Sequence, residues 1–300
     1  MSGVTGTKTA KTGKTGQPVK AVKPVQPAAD AESRGRRGLR LLKSGAVHLA
    51  YLLGLPAALL ALWWVLAARS TNFYYPTLDE ILAAFAETWF SDRIVDDVLP
   101  SLGRLAAGYL GAAVIGIALG VLLGTRPRIR ALLEPVLEFF RAVPPPVLIP
   151  VLMLVAGIGD TMKIVVIISG ALWPVLLNTV EGVRAIDEVL SDTARCYGLT
   201  GTARLRRLVL PGAAPQIVAG LRQALSISII LMVISEMFAS SSGLGFTVVQ
   251  FQRSFAIPEM WSGILLLGLL GFALSLLFAL FESRVLGWYR GLRQSQRGEK

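Results

Sequence analysis

Apolar residues along this chain gather into six runs, at about 46–67, 101–124, 142–158, 162–180, 215–239 and 261–281, with charged residues held mostly to the stretches between them. A helix needs about 20 apolar residues to cross the hydrocarbon layer, because each residue advances it only about 1.5 Å. The pattern therefore predicts an all-α integral membrane protein with about six transmembrane helices. Pro144, Pro145, Pro146 and Pro150 stand near the start of the third run. Consecutive prolines cannot occupy a regular helix interior, so a break is expected there. The second run carries Gly108, Ala112, Gly116, Gly120 and Gly124 at four-residue spacing. Small residues so spaced form one groove, predicted to let another helix approach closely.

The polar stretches set the orientation. Residues 70–100 hold Asp79, Glu80, Glu87, Asp92, Asp96 and Asp97 against Arg93 and are predicted to lie outside. Arg126, Arg128 and Arg130 follow the second run, a long basic stretch follows the fourth, and Arg284, Arg290, Arg293, Arg297 and Lys300 follow the sixth. Lys and Arg accumulate on the cytoplasmic side of membrane proteins, which places these stretches and both termini inside. The domain reading is a disordered basic cytoplasmic tail over 1–44, a transmembrane domain over 45–285 with an internal loop at 181–214, and a basic cytoplasmic tail over 286–300. The first run, with its basic flank and no small-x-small site after it, reads as an uncleaved signal anchor.

Composition agrees: 53% of residues are hydrophobic and 16% charged, against about a quarter charged in soluble domains. A net charge of +11 would suggest nucleic acid in a soluble protein. Here the basic residues follow the topology and form no aromatic-interleaved patch, so no nucleic-acid partner is expected. Cys196 and His48 are the only residues of their kinds, which rules out an intrachain disulfide and leaves no metal site predicted. Gly13-Lys14-Thr15 resembles the end of a phosphate-binding loop, but Lys8 stands where the first glycine is needed. No catalytic residue and no cofactor are expected on this chain.

The 181–214 loop is too long and too patterned for a simple connector. Val183, Ile186, Leu190, Ala194 and Tyr197 recur at helical spacing and predict an amphipathic helix. Gly198 is placed to end it in a left-handed cap. Thr202 can cap a second short helix, carrying Leu205, Leu208 and Val209 apart from Arg204, Arg206 and Arg207, which Pro211-Gly212 would end.

The loop resembles the coupling motif of binding-protein-dependent ABC importer permeases, which reads Glu-Ala-Ala, three residues, Gly, nine residues, Ile-x-Leu-Pro. Asp192, Thr193 and Ala194 stand at the triplet, Gly198, Leu210 and Pro211 match, and Leu208 replaces Ile. Flanking segments are similar to the nitrate, sulfonate and taurine branch of that family. They are Pro76-Thr77-Leu78-Asp79-Glu80, Arg141-Ala142-Val143-Pro144, Gly157-Ile158-Gly159 with Lys163, and Glu236 before Gly243-Leu244-Gly245. The resemblance implies a permease that pairs with a second copy, docks a coupling helix on each of two ATPase subunits that hold the ATP and Mg, and takes solute from an extracytoplasmic binding protein. It implies a bacterial inner-membrane location.

Arg141, Lys163, Arg222 and Glu236 lie near helix ends, where snorkelling to the interface is the common behaviour of ionisable residues. Trp173 and Asn178 are the better candidates for a substrate path among the polar sites within helices, which also include Ser169, Ser226, Ser228 and Ser235. An ion-gradient-driven secondary transporter is the rival reading. Such proteins are usually built from inverted repeats with buried ion-coupling carboxylates, and neither is recognisable in this sequence.

Overall fold

The computed structural model describes residues 54–289, apart from 56, 70, 71 and 239. The predicted 1–44 tail, the start of the first apolar run and most of the C-terminal tail lie outside the described residues. The chain divides into two units, Met1–Trp63 and Trp64–Lys300. The described residues of the first are helical, and the packing and site geometry below concern the second. No strand occurs among the described residues.

Among the described residues, four helices are long and apolar enough to span a membrane: α3 (Ile94–Thr125), α6 (Asp160–Arg184), α8 (Gly201–Phe238) and α10 (Ile257–Val285). The third predicted run is not a simple span. It is the second limb of a pair, α4 (Pro127–Ala142) and α5 (Pro145–Ala156), bent by 83° where the prolines forbid a continuous helix. Counting that pair as one, the described residues offer five spans rather than six. The first run is represented by the shorter apolar helix α1 (Ala57–Ala68).

Two helices arise where polar loops are predicted. The first, α2 (Leu78–Trp89), opens at the Pro76–Glu80 segment, where the Thr77 N–H donates to Glu80 Oε2 at 2.9 Å. That is half of a capping box, so local chemistry rather than hydropathy makes this helix. Trp89, at its end, is buried and donates through Nε1 to Ser262 Oγ of α10 at 3.0 Å. The second, α9 (Leu244–Arg253), fills the predicted external stretch.

The glycine stripe on α3 meets α6, as the four-residue spacing requires. A Cβ at Gly116 would lie 2.8 Å from Val175 Cβ, and one at Gly124 would lie 2.7 Å from Val183 Cβ. At Gly108 the neighbour is Ile167 and at Gly120 it is Thr179. The contact numbers rise together, so α3 and α6 run parallel with their backbones in close approach. On the other side of α6, Gly182 faces Ala213 and Gln216 while Gly220 faces Pro174 and Asn178, which sets α8 antiparallel. Thus α6 is the central rod, and buried Ala112, Ala171, Val175 and Ala224 fill the space around it. The bundle has one end with Asp160, Phe238 and the start of α3, and another with Arg184, Thr125 and Gly201.

Gly120→Leu should destabilise this packing. A Cβ there already lies 2.5 Å from Thr179 Cβ and 2.9 Å from the Leu176 carbonyl oxygen, so the larger side chain has no room. Overpacking of this kind costs about 1–3 kcal/mol. The melting midpoint of the detergent-purified protein should fall, whereas Gly268→Ala, with nothing within 4 Å of its Cβ, should leave it unchanged. Equal midpoints for both variants would contradict the close α3–α6 contact.

Candidate translocation and coupling sites

At the Asp160 end, ionisable side chains from three helices converge. Arg104 on α3 is 6% exposed, and Glu236 on α8 is fully buried. The Arg104 Nη1 donates to Glu236 Oε1 at 2.7 Å and Nε donates to Asp160 Oδ1 at 2.7 Å. Its remaining donors reach the Ser242 carbonyl and hydroxyl oxygens, each at 3.1 Å. Lys163, itself 4% exposed, stands 3.7 Å from Asp160. In an apolar interior an unanswered charge costs several kcal/mol, so such a cluster survives only when donors and acceptors are matched. Here Arg93, Arg104 and Lys163 stand against Asp97, Asp160 and Glu236.

The same carboxylates hold the start of α9. The Gly243 N–H donates to Asp97 Oδ1 at 2.9 Å, the Leu244 N–H to Ser101 Oγ at 2.9 Å, and the Gly245 N–H to Glu236 Oε2 at 3.0 Å. The first backbone donors of a helix lack partners within it, and its positive end favours anions, so buried acids are well placed there. Gly243 is required at φ 115°, and a Cβ on it would lie 2.5 Å from Glu236 Cδ.

At the opposite end, α7 (Glu188–Cys196) and the start of α8 form the projection predicted between runs four and five. Asp187 caps α7, accepting from the Val189 N–H at 2.7 Å. Gly198 sits at φ 68°, and the Leu199 N–H returns to the Ala194 carbonyl at 2.9 Å, closing the helix as a Schellman motif. Arg204 Nη2 donates to Ser191 Oγ at 2.9 Å, tying the two arms together. Val209 and Ala213 are buried against Val183 at the base.

Residues 112–287 match the family described as binding-protein-dependent transport system inner membrane component. The chain belongs to this family. The taurine transport system permease protein of Escherichia coli is 30% identical over 244 residues, covering 79% of this chain and 89% of its own length. The putative aliphatic sulfonates transport permease protein of Bacillus subtilis is 29% identical over 250 residues, 82% of this chain and 91% of its own. The nitrate import permease protein of Leptolyngbya laminosa is 31% identical over 234 residues, 76% of this chain and 84% of its own. Among solved structures, the inward-facing MetNI methionine ABC transporter has a fold similar to this one. Its TM-score is 0.54 at 24% identity, over 63% of this chain and 94% of that one. The protein is thus a membrane-spanning permease subunit of a binding-protein-dependent transporter.

The permease departs from several residue-level expectations. Lys163 and Glu236 do not snorkel: Arg104 answers Glu236 in the buried interior, and Lys163 stays buried with its amine 3.7 Å from the exposed Asp160. Arg141 does stay exposed, paired with Glu138 at 2.6 Å, and the half-exposed Arg222 pairs with Glu282 while lying over the Phe278 ring. The signal for the missed cluster was present, since Arg104 is the one charged residue inside the second apolar run and must find an acid.

The predicted amphipathic helix of the loop is also broken. Asp187 starts a new helix, so Val183 and Ala194 face inward while Leu190 and Tyr197 are exposed. Thr202 lies inside the first turn of α8, where the Thr200 carbonyl accepts from Ala203 and Arg204. Pro211-Gly212 ends nothing: a π-helical segment over Leu205–Val209 widens the turn just before Pro211, and α8 continues through. Asp192 and Thr193 are exposed, Leu208 and Leu210 half-buried, and Pro211 exposed.

Trp173 and Asn178 are both half-buried on α6 but not on one face, being five residues apart on a helix. Asn178 Nδ2 donates to the Pro174 carbonyl at 2.8 Å and reaches Gln223 Oε1 of α8 at 3.4 Å. Gln223 belongs to an exposed stripe on α8 with Gln216, Ser226, Ile230 and Met237.

Glu236→Gln keeps the shape of the side chain but leaves Arg104 with only Asp160 to balance it. Breaking a buried pair in this way costs about 3–5 kcal/mol, and the surviving Asp160 places this case at the lower end. The melting midpoint should drop well below that of Glu138→Gln, whose partner Arg141 is exposed. Indistinguishable midpoints would mean that the cluster contributes nothing to stability.

Proposed function

We propose that two copies of this permease pair around a solute path, and that each docks α7 on one of two ATPase subunits. ATP and Mg are held on those subunits. An extracytoplasmic binding protein delivers the solute, a small molecule of the nitrate, sulfonate or taurine kind named for the relatives. The carrying observation is the outer surface of α7, where Val189, Leu190 and Tyr197 are 72%, 57% and 81% exposed on a helix fixed at both ends by caps. Apolar side chains held rigidly outward suit a groove on a partner protein. Asp192, Thr193, Ala194, Gly198, Leu208, Leu210 and Pro211 then shape the coupling element, which works by biasing the bundle between two arrangements.

The α8 stripe of Gln216, Gln223 and Ser226, with Asn178 bonded beside it, lines the path between the copies. Polar groups on a spanning helix are costly against lipid and belong against water or another subunit. Trp173, on a different face of α6, is a separate candidate for a substrate contact. An ion-driven transporter would need neither an exposed α7 surface nor an ATPase.

Gly198→Val tests the coupling role. A β-branched residue tolerates φ 68° poorly, so the two arms of the loop should be reoriented while the bundle stays intact. In proteoliposomes holding the whole transporter, both solute uptake and ATPase stimulation by loaded binding protein should fall about tenfold or more, a change worth about 1.4 kcal/mol or more. Arg206→Ala with Arg207→Ala is the mild control, since exposed charges contribute about 0–1 kcal/mol. A Gly198→Val transporter with normal uptake would end the coupling assignment. Uptake without any ATPase subunit would favour the ion-driven alternative.

Orientation is tested by labelling. In a Cys196→Ser background, E80C and Q250C should react with a membrane-impermeant maleimide in intact cells, and T202C only after permeabilisation. External reaction of T202C would put the loop on the wrong side for an ATPase.

A further inference from the structure

At the Asp160 end of the bundle, a cleft of about 490 Å³ opens between the last turn of α5, the end of α8 and the whole of α9. Its walls are apolar and aromatic, with Met153, Met237, Phe238, Phe246 and Val249 among them. Its polar groups are Ser240, Ser241, Gln250 and Arg253. No Asp or Glu lines it.

Arg253 has no ion-pair partner among the described residues. It is not needed to close α9 either, because Ser254 and Ala256 bond the last carbonyls through their own N–H groups, at 3.0 and 2.9 Å. The nearest acid along the chain from Ile158, another residue of the lining, is Asp160, and it is already taken by Arg104 and Lys163. The wall that carries Arg253 is also fixed in place, since three buried side chains hold the first N–H groups of α9. A concave site of this volume, lined mostly by apolar side chains with a few polar ones among them, has the character of a small-ligand pocket.

We propose that this cleft is a solute-reading site of the permease itself, taking a small organic anion. Arg253 holds the oxyanion head, Gln250 and Ser241 supply further donors, and the Phe238–Phe246 wall takes a short apolar stem. A guanidinium suits this task because its planar fork can donate two parallel bonds to one oxyanion. The site deepens the transport reading and rests on it. Selection then occurs twice, once in the binding protein and again in the membrane subunit, and a neutral or cationic analogue is rejected at the second step.

The test uses the full chain in nanodiscs with a reporter in the cleft wall, V249C in a Cys196→Ser background. Maleimide labelling is timed with ethanesulfonate, with its neutral analogue ethyl methyl sulfone, and with ethylammonium, all at matched ionic strength. Ethanesulfonate at several times its Kd should slow labelling about fivefold, and the other two should have no effect. Adding Arg253→Gln should abolish the protection, and Arg253→Lys should keep part of it. Equal rates with all three probes, or protection by ethyl methyl sulfone, would overturn the site. Protection that persists in Arg253→Gln would remove Arg253 from it. Should Arg253→Gln fail to fold, the three probes on the parent protein still decide the charge preference. A transporter that passes the Gly198→Val test but shows no protection here loses only this site, not its coupling to an ATPase.

Discussion

The ion pair between Arg104 and Glu236 constrains everything at one end of this permease. Both side chains are buried among apolar helices, where neither charge could stand alone. Arg104 therefore engages Asp160 and Ser242 as well, and Glu236 also takes the Gly245 N–H. Each bond comes from a different stretch of chain, so the set closes only when α3, α6, α8 and the start of α9 have all arrived. A network of this kind does more to fix register than to add net stability, because its gains are largely offset by desolvation.

Between the two ends, packing relies on the absence of side chains. The α3 groove admits Ile167, Val175, Thr179 and Val183 in turn, and Gly182 and Gly220 let α8 approach from the other side. Close backbone approach of this type replaces the hydrophobic driving force, which is weak between helices already in lipid. The outcome is a central rod, α6, whose two ends differ in character. Asp160 joins the charge network, while Arg184 leads into a loop governed by backbone caps.

Those two ends are linked by α6 and by α8, which runs from Gly201 beside α7 to Phe238 in the walls of the cleft. Under the proposed mechanism a displacement of α7 has a long helical lever to act on. The π-helical segment at Leu205–Val209 is the one irregular turn along that lever. It lies where the loop joins the bundle, a position suited to absorbing a change of angle.

Much of this was legible in the order of residues. Long apolar runs, the proline-forced bend at 143–144, the small-residue stripe and the left-handed end at Gly198 each follow from local chemistry. Hydrophobic length, a missing N–H, a missing Cβ and a positive φ act on neighbours in the chain, so their consequences are readable there. The α2 helix was also written locally, in Thr77 and Glu80, but hydropathy hides a helix that caps itself in a polar stretch. What the sequence left open is which distant groups meet. Arg104 needs an acid, yet nothing local selects Glu236, 132 positions away, over the other acids of the chain. Pro211 looks like a stop until a π-turn placed just before it removes the conflict. The buried and exposed faces of α7 were likewise settled by tertiary structure, because Ala194 is buried while Leu190 and Tyr197 are exposed. Pairing of buried charges and choice of face are properties of proximity in space, and only the assembled helices supply it.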